Sequence, residues 1–340
     1  MAWKVVLSFA LPGLDFGEAA VAPLGAEVVK GVFRTEDELI KGAGDADAII
    51  GIASIQPFNR RVLSSMPKCR IIAITGIGYE NVEVEAATDL GIAVTNVPDY
   101  CLDEVSDHAL SMMLALNRKL FQVSRAVKQD GLWTTDMKMR REILPPLQKI
   151  RGSTLGIVGF GNIGRALALK AKGLGMRVLA YDPFVYTTVM ETMGVEAADL
   201  DTLTRESDFI SVHANLTPEN RHLFNYERFQ KMRRTAYLIN TSRGGLVDEG
   251  DLVRALKEKL IAGAGLDVND PEPVSRDSPL FALDNVILTG HTAQFSSRSE
   301  ADLWRRPIQE VVRALKGQFP NYVVNPHVKP KYLQKWAKKA

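Results

Sequence analysis

Cysteine is scarce in this chain: Cys69 and Cys101 are the two it has. That excludes a disulfide framework and points to a reducing, cytoplasmic setting. Long apolar runs are also lacking, and none approaches the ~18 residues that a bilayer span requires, so no membrane association is expected. The N-terminal run 5–11 after Lys4, with Ala20-Val-Ala22 beyond it, imitates a signal peptide and its cleavage site. Asp15 and Glu18 interrupt the approach, and the run has the length of a buried strand. Neither sign of charge is in excess, because 42 Lys and Arg face 40 Asp and Glu for a net charge of +2, which argues against nucleic acid as the main partner. The local exception follows Asn325, where Lys329, Lys331, Lys335, Lys338 and Lys339 occur without an acid; it reads as a solvated or frayed end. No cluster has the spacing of a zinc site, no Gly-x-Ser-x-Gly elbow occurs, and there is no repeat or low-complexity segment.

What is present reads as two α/β units. At 340 residues the chain exceeds the usual size of one core. Before residue 100, strand-like runs at 5–9, 48–52, 71–75 and 93–97 alternate with helical segments at 35–42 and 82–90, the pattern of a parallel sheet covered by helices. A longer helix follows, with Asp103 as its cap and Val105, Ala109, Met112, Met113, Leu116 and Leu120 as its apolar face. The stretch 126–152, holding Trp133 and Pro145-Pro146, has no clean period and reads as an arm or loop, suited to an oligomer contact. Six further strands are expected at 155–159, 178–181, 209–213, 237–240, 264–268 and 286–289, the count of a full doubly wound fold.

The densest signal is the glycine run of the first of these strands. Gly159 turns strand into helix, Gly161 lets the backbone approach a pyrophosphate, and Gly164 lets helix and strand pack tightly. The first helical amides then face the phosphates. Asp182 ends the next strand, 18 residues beyond Gly164 and close to the ~20 expected of a carboxylate that binds the adenosine ribose. An acid there repels a 2′-phosphate, which favours NAD over NADP.

Ligands of open parallel sheets sit beyond the carboxyl ends of the strands. There the sequence places Thr241-Ser242-Arg243, then Asp267 and Glu272, then Gly290-His291. Hydride exchange with an alcohol needs an acid/base for the hydroxyl proton and a cation to orient the substrate and polarise its carbonyl. His291 suits the first task, with Glu272 stabilising its imidazolium, and Arg243 suits the second through its bidentate fork. His213, at another strand end, is the rival acid/base but has no strong acid close in sequence. His108 falls within the long helix as a packing or interdomain residue, and His222 and His327 read as surface positions.

These motifs resemble the D-isomer-specific 2-hydroxyacid dehydrogenases from about residue 48 to 325. The resemblance rests on Gly76-Ile-Gly-Tyr-Glu-Asn81, Gly91-Ile-Ala-Val-Thr-Asn-Val-Pro98, Gly159 to Gly164, Ile239-Asn-Thr-Ser-Arg-Gly-Gly245, Gly265-Leu-Asp-Val-Asn-Asp-Pro-Glu-Pro273 and Leu288-Thr-Gly-His-Thr-Ala293. It implies that Arg243 binds substrate, that His291 is the acid/base and that Glu272 pairs with it. It further implies that the amides of Ile77 and Gly78 hold the substrate carboxylate and that Tyr100 lines the pocket. Asn162 and Ile163 fall to the phosphates, Asp182 to the ribose, and Ala214, Asn215, Asn220, Thr241, Ser242 and Asp267 to the nicotinamide half. The implied architecture is a Rossmann NAD domain, 101–294, inserted into a discontinuous flavodoxin-like substrate domain, 1–100 and 295–340, with hinges near 100 and 294 and a homodimer formed through the arm.

Several positions depart from the family pattern. Glu80 replaces the usual aspartate, Asn215 stands where proline is common, and Gly290 replaces a proline and is expected to loosen His291. Gln294 occupies a substrate-facing position and hints at a polar substituent. The segment around 52–55 also enters the pocket, so the residues leave the particular 2-oxo acid open. No regulatory domain is expected after 325, unlike many phosphoglycerate dehydrogenases, and Glu272 argues against formate oxidation, since formate dehydrogenases carry glutamine there. The competing reading is an NAD-sensing protein of the C-terminal-binding corepressor type; Gln294, in place of an aromatic residue, favours the enzyme.

Overall fold

The computed structural model describes residues 2–9, 17–52, 55–145 and 147–336. Leu11, Asp15, residues 53–54, Pro146, Lys338 and Lys339 lie outside the described residues. The chain divides into two compact units, one of residues 1–100 with 296–340 and one of residues 101–295.

The first unit alternates β1 (Trp3–Leu7), β2 (Ala26–Lys30), α1 (Glu36–Ala43), β3 (Ala48–Gly51), α2 (Arg60–Ser64), β4 (Ile71–Ile74), α3 (Val84–Leu90) and β5 (Ala93–Thr95). Its strands are parallel and ordered β2-β1-β3-β4-β5, the flavodoxin-like arrangement. All residues of β3, β4 and β5 are buried, as expected of strands covered on both faces. β2 escaped the sequence pattern because it is a half-exposed edge strand that mixes Glu27 and Lys30 with its valines. Thr35 caps α1 through a reciprocal bond pair with Glu38.

The second unit begins with α4 (Leu102–Asn117) and α5 (Leu120–Asp130) and continues through β6 (Thr154–Val158), α6 (Asn162–Gly173), β7 (Arg177–Tyr181), α7 (Thr187–Thr192), β8 (Glu196–Ala197), α8 (Leu200–Glu206), β9 (Phe209–Val212), α9 (Tyr226–Lys231), β10 (Tyr237–Asn240), α10 (Glu249–Lys257), β11 (Gly263–Leu266) and β12 (Val286–Leu288). Its sheet runs β12-β11-β10-β9-β6-β7-β8, the doubly wound nucleotide order with one added strand. The six expected strands are present. The third in the chain is the two-residue exposed edge strand β8, too short for any period, so the last expected strand is the added seventh.

Two details of the long helix differ from expectation. Cys101, not Asp103, is the N-cap residue of α4, and no side chain caps it, while Asp103 sits in the first turn. Leu120 opens α5 after a left-handed Lys119 and is exposed, so the apolar face ends at Leu116. Val105, Ala109, Met112, Met113 and Leu116 are buried as the period requires. Glycine makes room for them, since a Cβ on Gly265 would lie 3.0 Å from Met112 Sδ. The arm is partly ordered by α5 and a short π-helical turn, Met139–Ile143.

The chain returns to the first unit through α11 (Ser297–Leu315), which buries Ile308, Val311, Ala314 and Leu315 against β1, β3 and β4, and ends in α12 (Lys329–Trp336). α12 corrects the expected fraying for the described part of the tail, while its lysines are exposed as a solvated segment requires. Tyr332 is fully buried, edge-on to Phe319 at 5.3 Å. Trp336 Nε1 donates to Gly91 O at 3.0 Å and Lys335 Nζ to Leu90 O at 3.2 Å, so cationic and indole donors satisfy carbonyls at the end of α3. The lysines dominate the composition of this segment, but one buried aromatic decides its fate. Tyr332→Ala is expected to cost about 3–5 kcal/mol, the usual loss for emptying a buried aromatic site; a urea-unfolding midpoint equal to that of the parent would show that α12 contributes nothing.

Candidate active site

The glycine run forms a cradle in which each glycine answers a different constraint. Gly159, at φ 93°, leaves β6 in a conformation that side chains rarely adopt, and a Cβ there would lie 2.5 Å from Ala214 N and 2.6 Å from His213 C. The turn therefore passes hard against the chain leaving β9. A Cβ on Gly164 would lie 2.3 Å from Gly159 O, whereas one on Gly161 meets nothing within 4 Å. The first two glycines serve packing, and the third leaves a space that a ligand backbone can enter. Gly161 caps α6 without a side-chain acceptor, so the amides of the first turn, which includes Asn162 and Ile163, face that space. Asp182, at the end of β7, accepts from Phe160 N and Phe184 N at 2.8 Å each, which fixes its carboxylate beside the cradle.

Across the turn, Asn220 folds the segment after β9 on itself: its amide donates to Asn215 O at 2.7 Å and its carbonyl accepts from Thr217 N at 2.8 Å. Asn215 is exposed. Thr241 Oγ1 is buried with no hydrogen-bond partner among the described residues, and such a group calls for one. The open space at Gly161, the uncapped helix start, the Asp182 carboxylate and this orphan hydroxyl together fit a dinucleotide.

The chain leaving β10 is shaped by Asn240, fully buried, which accepts from Ser242 N and Oγ and donates to Arg243 O at 2.9 Å. Arg243 follows in extended conformation. A Cβ on Gly244 would fall 2.0 Å from Asn269 C, so only glycine lets this turn lie against the loop that carries Glu272. In that loop Glu272 Oε1 accepts from Asn269 N at 2.9 Å, and Oε2 stands 2.9 Å from His291 Nδ1. Burial works to raise the Glu272 pKa, but the bonds from His291 and Asn269 and the charges of His291 and Arg243 outweigh it and hold it below the usual value. The carboxylate is thus ionised through the neutral range, and the imidazole and the guanidinium share its field.

Asp267 holds His291 in place. It is 2% exposed, its Oδ1 accepts from Thr289 Oγ1 at 2.6 Å and Thr292 N at 2.8 Å, its Oδ2 from Ala293 N at 3.0 Å, and its carbonyl from His291 N at 2.5 Å. Gly290 and His291 are both left-handed, at φ 63° and 61°. Proline cannot adopt that φ, so it is excluded at 290, where glycine takes the conformation without strain, and the bonds to Asp267 pin His291 where a loosening was expected. Both oxygens of the carboxylate thus bond to the segment that follows β12.

Other expected residues lie elsewhere. Ile77 and Gly78 follow β4 in the first unit, where Gly76 at φ 140° turns the chain and Asn96 Nδ2 holds Ile77 O at 2.8 Å. Among the described residues their own amides have no acceptor. Tyr100 ends the first unit, and Gln294 lies in the second, half-buried. His213 is no rival to His291: its Nε2 is 2.8 Å from Ser211 Oγ, its Nδ1 is buried without a partner, and burial pushes its pKa down to about 4. His222 lies 3.2 Å from Asp248. His108, expected as a packing or interdomain residue, makes a polar contact within the second unit that the sequence does not show. Its Nε2 is 2.9 Å from Thr289 Oγ1 across 181 positions of sequence, a separation at which helical periodicity carries no signal.

Residues 110–293 match the family model described as D-isomer specific 2-hydroxyacid dehydrogenase, NAD binding domain. The chain is 38% identical over 290 residues to a glyoxylate reductase of Korarchaeum cryptofilum, covering 85% of this chain and 86% of that one. It is 36% identical over 300 residues to a D-3-phosphoglycerate dehydrogenase of Methanocaldococcus jannaschii, covering 88% of this chain and 55% of that longer one. A crystal structure of a D-lactate dehydrogenase from Aquifex aeolicus, complexed with NAD and lactic acid, matches with a TM-score of 0.77 at 29% identity, over 92% of this chain and 94% of that one. The chain belongs to the D-isomer specific 2-hydroxyacid dehydrogenase family.

Proposed function

We propose that the chain interconverts a small 2-oxo acid and its D-2-hydroxy acid with NAD(H), and that Arg243, Glu272 and His291 carry the reaction. The observation behind this reading is the 2.9 Å pair of His291 with Glu272 inside the field of Arg243. When bound, the nicotinamide supplies or accepts the hydride. Arg243 orients the substrate carboxylate and polarises the adjacent carbonyl. His291, oriented by Glu272 at its Nδ1, delivers a proton to the carbonyl oxygen during reduction and takes it back during oxidation. Ile77 and Gly78 offer two unpaired amides suited to a carboxylate, with Tyr100 and Gln294 as further substrate-facing groups. Asp182, against the ribose, disfavours NADP, and Thr241 offers its unpaired hydroxyl to the cofactor. The exposed side chains of Leu120, Phe121, Trp133 and Met137 on α5 and the arm support a homodimer.

Oxidation of NADH in the presence of glyoxylate, pyruvate, hydroxypyruvate and larger oxo acids is expected with at least one member of the panel, and faster than with NADPH. Tight NADH binding with negligible turnover across the panel would turn the reading to nucleotide sensing. Arg243→Ala should lower kcat/KM by about 10²–10⁴; an unchanged value removes Arg243 from the site.

Glu272→Gln gives a pH test with a definite sign. Glu272 is held below the usual carboxylate pKa, so the acidic limb it sets in the parent lies below that range and should be missing from Glu272→Gln, whose kcat is lower at every pH. A profile that superimposes on that of the parent would separate Glu272 from the chemistry.

A further inference from the structure

We propose that His108 is a positioning residue for His291, acting from α4 through Thr289 and Asp267; this rests on the reading of His291 as the acid/base. Hydrogen count sets the direction of the chain of bonds. Thr289 Oγ1 carries one hydrogen and lies 2.6 Å from Asp267 Oδ1, an oxygen that already accepts from Thr292 N. The hydroxyl hydrogen therefore goes to the carboxylate, and Thr289 Oγ1 has only lone pairs left for His108 Nε2 at 2.9 Å. His108 must be the donor, which fixes its Nε2–H form. The same nitrogen lies 3.7 Å from Asp267 Oδ1, so its polar hydrogen also faces the carboxylate.

The loop on the far side of Asp267 depends on these acceptors. Thr292 and Ala293 donate to its two carboxylate oxygens and His291 to its carbonyl, while Thr292 Oγ1 returns to Thr289 O at 2.8 Å. Residues 289–293 thus wrap around one side chain, with His291 left-handed at φ 61°. A non-glycine residue stays in that conformation only when its surroundings over-determine it. Thr289 begins the wrap, and His108 is the group that fixes the Thr289 hydroxyl toward Asp267 instead of letting it rotate. α4 is buried along the face that carries Ala109, Met112 and Leu116, so the imidazole is presented from a rigid element.

The test uses the full-length protein with NADH and its best oxo acid, in His108→Leu, His108→Gln, Thr289→Val and the double variant His108→Leu/Thr289→Val. Leucine removes the donor, whereas glutamine keeps an N–H of comparable reach. His108→Leu and Thr289→Val should each lower kcat about 10-fold, the scale of a small misplacement of a reacting group, with KM and NADH affinity within about twofold. The double variant should be no slower than the worse single variant, since both break one chain of bonds. His108→Gln should recover most of the rate. Independently of turnover, amide hydrogen exchange in the 289–295 segment should accelerate in His108→Leu and not in His108→Gln. Parental kcat and exchange in His108→Leu, a glutamine variant as impaired as the leucine one, or losses that multiply would overturn the inference. If His291→Asn keeps the parental rate, the acid/base reading fails instead, and the exchange data alone then decide whether His108 holds the loop.

Discussion

Asp267 is the constraint on which the rest of the site depends. A nearly buried carboxylate is costly to leave unpaired, and here both oxygens are used by the segment that follows β12. Hydrogen bonds to an ionised acceptor are worth ~1.5–3 kcal/mol each, against roughly 1–2 kcal/mol for a non-glycine residue in the left-handed region. The bonds win, and His291 is held with its Nδ1 on Glu272. The glycine at 290 follows from the same balance, because the loop needs two successive left-handed residues and proline can supply neither.

The parallel sheets explain why so few residues need special chemistry. Strands that all run one way bring successive loops to one edge, so Gly159, Thr241, Arg243, Asp267 and His291 converge although they span more than a hundred positions. Glycines at 159, 164 and 244 let those loops lie against one another at distances no Cβ tolerates. The site is therefore specified as much by where side chains are missing as by where they are present.

What the sequence reveals depends on how local each interaction is. The cradle and Asp182 are legible because strand, turn, helix and acid follow within about thirty residues. The strand ends that carry Arg243 and Glu272 are legible because fully buried parallel strands read as unbroken apolar runs, and the half-buried β12 before His291 is apolar throughout as well. β2 and β8 are not, since edge strands are short and half-exposed. α12 hides behind its lysines, whose stems lie along the protein while Tyr332 anchors the helix. The bonds of His108 and Asp267 to Thr289 join distant segments and leave no periodic trace. The left-handed pair at 290–291 shows in the sequence only as a glycine where proline is usual.

Binding and chemistry part at His291. Single-turnover oxidation of bound NADH by the best oxo acid, followed by stopped-flow absorbance in His291→Asn, makes that separation when NADH affinity is measured beside it. The expected result is an affinity within about threefold of the parent and a transfer rate lower by about 10²–10⁴, the usual worth of a positioned acid/base. Transfer at the parental rate with the imidazole gone would contradict it.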